Sequence, residues 1–220
     1  MKVKLISHTQ AVEENASLLD QIAYVARVSN PGNQSNTETS EKLVRYLLKN
    51  RHWSPFEMVD VTLEITTTRE IVRQILRHRS FVFQEFSQRY ADPTKDLKFE
   101  TKEMRLQDTK NRQNSIESDN YALTDKWEAI QRTILEQSVE AYKWAVDNGL
   151  AKEVARAVLP EGMTESKIYM KGAIRSWIHY IELRSGNGTQ KEHRIVAQAC
   201  ADAIAPIFPM IMDFVGVLNK

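Results

Sequence analysis

The sequence predicts an α+β fold, a small antiparallel or mixed sheet surrounded by helices in a single domain spanning residues 1–220. A chain of 220 residues with 42% hydrophobic and 27% charged residues has ordinary globular composition and is long enough for one sizeable core. Val59, Val61, Leu63 and Ile65 alternate with polar partners, the period of a half-buried strand, whereas most other apolar residues recur at helical spacing. No stretch rich in Pro, Gly or Ser divides the chain, so these elements are expected to share one core.

Taken in order, Lys2 to Ser7 alternates as an opening strand, and Ala11 to Val28 carries apolar residues at helical spacing. Ser29 to Asn36 is a loop. Thr37 to Asn50 predicts a helix with Leu43, Tyr46 and Leu47 on one face and Glu41 four residues before Arg45. Ser54-Pro55-Phe56-Glu57 carries a capping signal, with Ser at N-cap, Pro at N1 and Glu at N3. Val59 to Thr68 is the strongest strand. Thr68 then caps a helix from Arg69 to about His78 that turns Ile71, Val72, Ile75 and Leu76 to the core and Arg69, Arg73, Gln74 and Arg77 away from it. Phe81 to Tyr90 returns as extended chain. Lys95 to Ser118 is charged and poorly periodic, a loop with a short strand near Leu97 to Met104. A long helix from Asp119 to Asn148 stops at Gly149. There follow Ala151 to Val158 closed by Pro160, a segment from Ser166 to Arg184, and a last pair of helices from Gln190 broken by Pro206 and Pro209.

Thirty basic against twenty-nine acidic residues leave a net charge of +1, so no global field draws the protein to nucleic acid or to a membrane surface. A single cysteine, Cys200, excludes an internal disulfide framework and any C-x-x-C motif, which suits a reducing cytoplasm. The N-terminal apolar run is too short for a signal peptide, and no window approaches the ~20 apolar residues of a membrane span. The expectation is a cytoplasmic protein.

The densest chemistry lies in Gln74 to Tyr90, where Arg77, His78, Arg79, Glu85, Ser87, Gln88 and Arg89 stand among aromatics. A guanidinium is a planar fork of five donors, so these arginines can hold phosphate or carboxylate oxygens bidentately, while Glu85 can accept from a sugar hydroxyl or a base N–H. Read in isolation, the same arginines are also what a helix C-terminus favours.

The string resembles the signature of the flavin-dependent thymidylate synthases: R-H-R, seven residues, S-x-R, here Arg77-His78-Arg79, seven residues, Ser87-Gln88-Arg89. Three further blocks resemble that family in the same order: Arg51 to Glu57 (RHWSPFE), Glu153 to Pro160 (EVARAVLP) and Arg175 to Arg194 (RSWIHYIELRSGNGTQKEHR). The resemblance implies reductive methylation of dUMP to dTMP with 5,10-methylenetetrahydrofolate and NADPH, the methylene passing through reduced FAD without a cysteine nucleophile. It also implies a homotetramer with sites at subunit interfaces. For dUMP it implicates Gln74, Arg77, Glu85, Ser87, Gln88, Arg89, Arg156 and Arg184; for FAD it implicates His52, Ser54, Arg77, His78, Arg79, Glu85, Arg175 and His179. It implies that Arg184 is the catalytic residue, held against the uracil ring to stabilise charge at N3 and the adjacent carbonyls, a task suited to a group that does not give up its proton.

The residues themselves leave alternatives open. Arg156 lies in an apolar helical run where a partly buried charge needs an anion, supplied by a ligand or by Glu153 or Glu161. Arg175, His179 and Glu182 share a helix face, and Glu182 can pair with Arg175. The histidines have no metal-ligand spacing, and no G-x-G-x-x-G follows a strand. Cys200, in IVAQACADAIAPIF, reads as a small core residue. Ser87 has no evident histidine–carboxylate pair to activate it and is assigned to substrate binding. Two departures stand out: Gly172-Ala173-Ile174-Arg175 lacks the asparagine many family members carry, and Ser185-Gly186-Asn187-Gly188 replaces an acidic or histidine-containing stretch. The competing class is a nucleic-acid-binding protein using the basic and aromatic residues of Arg77 to Arg89.

Overall fold

In the computed structural model, which describes residues 1–216, the chain runs β1 (Lys2–His8), α1 (Leu18–Ala26), α2 (Ser40–Lys49), β2 (Asp60–Thr68), α3 (Arg69–Ile75), β3 (Val82–Glu85), α4 (Pro93–Asp96), β4 (Arg105–Gln107), β5 (Ser115–Glu117), α5 (Tyr121–Asp147), α6 (Lys152–Ala155), β6 (Glu165–Ala173), α7 (Ile174–Arg184) and α8 (Lys191–Ile204). Turns of 3-10 helix occupy Pro31–Asn33, Ser54–Glu57, Arg156–Val158 and Pro209–Phe214. The α+β class expected from the sequence is the one observed.

The main sheet has the order β1-β2-β6-β3 and is antiparallel throughout. Its buried face is built from the alternation in β2, with Leu63 opposite Met170 and Ile65 opposite Ile168 of β6. α7 and α8 cover that face with Trp177, Ile181, Val196 and Ala197, and Trp177 donates its indole N–H to the Val61 carbonyl at 3.1 Å. The segment from Ser166 to Arg184 had given no strand by periodicity, yet it splits into the sheet's interior strand β6 and helix α7. Gly172 allows this: a Cβ there would stand 2.5 Å from Cδ1 of Phe81, so the Phe81 ring lies directly over the glycine. No helix among the described residues is long and apolar enough to cross a membrane.

Several expected boundaries shift for local reasons. α1 starts at Leu18 rather than Ala11, because Ser17 and Asp20 form a reciprocal capping box. On α2, Val44 and Leu47 face the core while Tyr46 is exposed; the Glu41–Arg45 pair forms at 2.8 Å. Ser54 makes no side-chain cap, and Glu57 instead reaches Arg175 at 2.7 Å. Thr68 occupies the cap position of α3 with an extended backbone, but its hydroxyl accepts from Lys102 Nζ at 2.9 Å rather than from the helix. α3 ends at Ile75, so Leu76 leaves the core and is exposed. Only Val82–Glu85 of the extended Phe81 to Tyr90 stretch pairs as a strand.

Within Lys95 to Ser118 the full strands fall at β4 and β5, while the expected strand near Leu97 to Met104 is reduced to one antiparallel bridge, Phe99 to Thr164, flanked by Glu100 N–H to the Met163 carbonyl and Glu165 N–H to the Lys98 carbonyl. Lys98 N–H goes to the Glu165 side chain and Lys102 N–H to Gln131. Asn120 caps α5, and Gly149 beyond its end has φ +81°, the left-handed conformation expected of a helix stop. After α8, Pro209 opens a 3-10 turn rather than a second α-helix. Cys200 is fully buried, as its periodicity implied.

Candidate active site

β2 feeds α3, and β6 feeds α7, so two adjacent antiparallel strands deliver two helices to one end of the sheet. Past the C-terminal end of α3 lies His78; the last residue of α7 is Arg184. They meet there: Arg184 Nε donates to His78 Nε2 at 2.9 Å. Burial lowers the His78 pKa to about 4, assisted by the positive fields of Arg184, His179 and Arg77. His78 is therefore a neutral acceptor at physiological pH, with its proton on Nδ1. Burial also lowers the Arg184 pKa, with Arg77 adding repulsion. With its Nε committed, Arg184 keeps both terminal nitrogens without a partner among the described residues.

The His78 ring packs edge-to-face on Tyr180 with centroids 4.9 Å apart. Tyr180 Oη lies 3.1 Å from Nε2 of fully buried His193, whose Nδ1 lies 3.2 Å from Gln74 Oε1. Gln74 Nε2 donates to Gln190 Oε1 at 2.7 Å. Burial, with Arg184 and His78 nearby, lowers the His193 pKa to about 3, and burial pushes Tyr180 well above the ordinary phenol range. Tyr180, Gln190 and His193 were not singled out from the sequence. All three lie in the Arg175–Arg194 block, where a polar residue recurring inside an apolar helix was the available signal.

On the outer face of α7 a cleft of about 490 Å³ is lined by Arg175, His179 and Glu182 of that helix and by Arg51, Trp53 and Glu57 from the loop and turn before β2. Arg51 supplies a left-handed backbone with φ +55° where that loop reverses. Arg175 pairs with Glu57, not with Glu182. His52 packs edge-to-face on Tyr46, and neither His52 nor Ser54 lines the cleft.

The remaining arginines divide by partner. Arg89 pairs with Glu153 of α6 at 3.0 Å, and Lys152 Nζ donates to the Tyr90 carbonyl, so the Ser87–Tyr90 turn is docked on the segment that carries Arg156. Glu161 is taken by Arg73 and lies 3.9 Å from Arg69. Both acids available to Arg156 are thus occupied, and Arg77, Arg79 and Arg156 have no ion pair among the described residues. Glu85 accepts from Arg69 at 3.2 Å and from the Ser166 hydroxyl at 2.8 Å, both through Oε1, leaving Oε2 without a partner among the described residues. Ser87 Oγ accepts from the Arg89 N–H at 3.3 Å. Gln88 is 4% exposed, and its buried Nε2 has no hydrogen-bond partner among the described residues.

A flavin dinucleotide needs cations for its pyrophosphate and a flat wall for its ring. The residues fit that need: Arg77 and Arg79 pair with no carboxylate among the described residues, and the cleft combines Arg175 with the Trp53 indole. Ala173 sits at the N-cap of α7 with no side-chain cap bond, so position 173 itself offers no side-chain amide. Burial raises the pKa of Cys200 far above that of an accessible thiol, which leaves no thiolate nucleophile.

Residues 4–210 match the family model described as thymidylate synthase complementing protein. The chain is 48% identical over 212 residues to a protein of Paramecium bursaria Chlorella virus 1 named probable flavin-dependent thymidylate synthase, covering 96% of this chain and 97% of that one. It is 50% identical over 191 residues to the flavin-dependent thymidylate synthase of a Synechocystis strain, covering 86% of each. Among solved structures it superposes on a UMP/dUMP methylase from Streptomyces cacaoi bound with 5-Br dUMP, with a TM-score of 0.75, 26% identity and coverage of 97% and 93%. Matched along almost its whole length, and carrying a signature arginine pair with no carboxylate partner among the described residues, the chain belongs to the flavin-dependent thymidylate synthase family.

Proposed function

We propose that this chain, as one synthase domain over 1–220, converts dUMP, 5,10-methylenetetrahydrofolate and NADPH into dTMP, tetrahydrofolate and NADP⁺ with FAD as cofactor. The observation that carries the reading is Arg184, a half-buried guanidinium fixed through Nε by neutral His78, its two terminal nitrogens without a partner among the described residues. Methylation at C5 requires the pyrimidine to become enolate-like, with negative charge at N3 and its carbonyl oxygens. A guanidinium already oriented and partly desolvated stabilises that charge without reorganising. Arg156, free of Glu153 and Glu161, and Arg89, with its terminal nitrogens open, suit the dUMP phosphate beside Ser87. Gln74, Gln88 and the open Oε2 of Glu85 suit the sugar and base.

Arg77, His78, Arg79, Arg175 and His179, with His52 and Ser54, are assigned to the flavin. When bound, the flavin supplies hydride from NADPH and carries the one-carbon unit, a role consistent with the inaccessible Cys200. The cleft on the outer face of α7 is open to solvent. A homotetramer sharing sites between subunits would close it with a neighbouring chain. α5, which leaves Leu123, Trp127, Ile130 and Ile134 exposed along its length, is a suitable surface for such contacts. A cytoplasmic location accords with the single reduced thiol.

The test is tritium release from C5-labelled dUMP by purified protein, omitting FAD, NADPH and methylenetetrahydrofolate in turn. Release requiring FAD and NADPH is the expected result. Folded, flavin-loaded protein that releases no tritium would refute the assignment.

A further inference from the structure

We propose that His193 is a positioning residue that fixes which end of the Gln74 amide is available to the pyrimidine, by locking a one-directional hydrogen-bond chain through Tyr180, His193, Gln74 and Gln190. The inference rests on the assignment of Gln74 to dUMP.

The direction of the chain follows from its far end. Gln190 Nε2 lies 3.0 Å from Glu192 Oε2 and 3.4 Å from Glu70 Oε1. Glu192 pairs with Arg105 at 2.6 Å, which against the cost of burial holds its carboxyl below the usual range, and Glu70 pairs with Lys102 at 2.8 Å. Ionised carboxylates only accept, so Gln190 must turn its NH₂ toward them and its carbonyl toward Gln74. Gln74 must then point its NH₂ at Gln190, 2.7 Å away, and its Oε1 at His193. That oxygen needs a donor, which puts the His193 proton on Nδ1. His193 Nε2 is left an acceptor, satisfied by the Tyr180 hydroxyl at 3.1 Å. Each link has one workable orientation.

The consequence concerns what remains on Gln74. One N–H is spent on Gln190 and one lone pair on His193, leaving one N–H and the second lone pair of Oε1 uncommitted, each at an end of the amide that the chain fixes. A pyrimidine gaining negative charge presents acceptors, so an amide that offers a donor stabilises it and a flipped amide repels it. Without His193 the Gln74 carbonyl loses its anchor. A satisfied core histidine of no functional consequence would also make two hydrogen bonds, but it would tolerate an apolar replacement without any change in substrate recognition.

Two measurements test this. The ¹⁵N spectrum of the wild-type His193 imidazole should report a protonated Nδ1 and an unprotonated Nε2; the opposite tautomer would overturn the chain. His193→Leu should raise the dUMP KM about tenfold, the effect of one lost directed hydrogen bond, with flavin content unchanged and kcat altered less. His193→Asn, whose amide N–H reaches near the Nδ1 position, should restore most of the affinity. Equal dUMP KM in wild type and His193→Leu would overturn the proposal alone. Wild-type protein that neither binds nor turns over dUMP would overturn it together with the dUMP assignment. Should both variants fail to fold, the tautomer decides.

Discussion

Lowering the pH from 8 to 5 should weaken the fold through His193. In the unfolded chain its imidazole takes a proton near pH 6.5, but in the fold, buried and facing Arg184, His78, the Tyr180 hydroxyl and the Gln74 amide, only at about 3. Between those values the unfolded state binds more protons, so stability is full above 6.5 and is lost as pH falls through the folded value. Linkage over these two pKa values gives a loss of about 2 kcal/mol between pH 8 and pH 5 from this residue. Other groups titrate as well, so the informative quantity is a difference. Urea unfolding followed by tryptophan fluorescence, at equal protein concentration for wild type and His193→Leu, isolates it. The variant should start less stable at pH 8 but lose about 2 kcal/mol less on going to pH 5. Identical losses in the two proteins would mean that His193 is protonated in the fold, and the hydrogen-bond chain through it would fail with it.

Three other outcomes follow from the geometry. Arg184→Ala should lower turnover at least about a hundredfold while flavin stays bound, since it removes a fixed donor from the developing charge; turnover close to wild type would refute its role. Arg156→Ala should weaken dUMP binding about ten- to a hundredfold, the range of one charge-assisted contact, measured by equilibrium dialysis; unaltered affinity would assign the phosphate elsewhere. Gly172→Ala should destabilise the fold by about 1–3 kcal/mol, because its methyl group meets the Phe81 ring at 2.5 Å. A thermal midpoint equal to wild type would show that Phe81 moves aside at little cost.

What was legible in the sequence was whatever depended on local pattern. The alternation of β2, the arginine-rich exit from α3 and the core placement of Cys200 could all be read from neighbours in the chain. β6 was not legible, since Gly172 is a strand residue only because Phe81, far away in sequence, needs the space. Capping signals failed where a distant group competed: Glu57 went to Arg175 and the Thr68 hydroxyl to Lys102. The site divided in the same way. Its arginines and Gln74 stood in motifs, but the reason Arg156 is free is that Arg89 and Arg73 hold its two nearby acids, a fact of tertiary structure. His193 looked like any helix residue until Tyr180 and Gln74 met it from two other helices.

The aim of Arg184 is therefore a packing quantity as much as an electrostatic one. From Gly172 the contact passes to Phe81, from Phe81 to Trp177 at 4.8 Å and Tyr180 at 6.0 Å, from Tyr180 to His78 at 4.9 Å, and from His78 to Arg184 at 2.9 Å. Each ring is held by the next, so the acceptor that orients the guanidinium is as rigid as the core behind it. A lone exposed arginine would have to lose about 2 kcal/mol of side-chain entropy to reach one geometry. Here folding has already made that selection, and under the role proposed for Arg184 the substrate meets a donor that does not have to move.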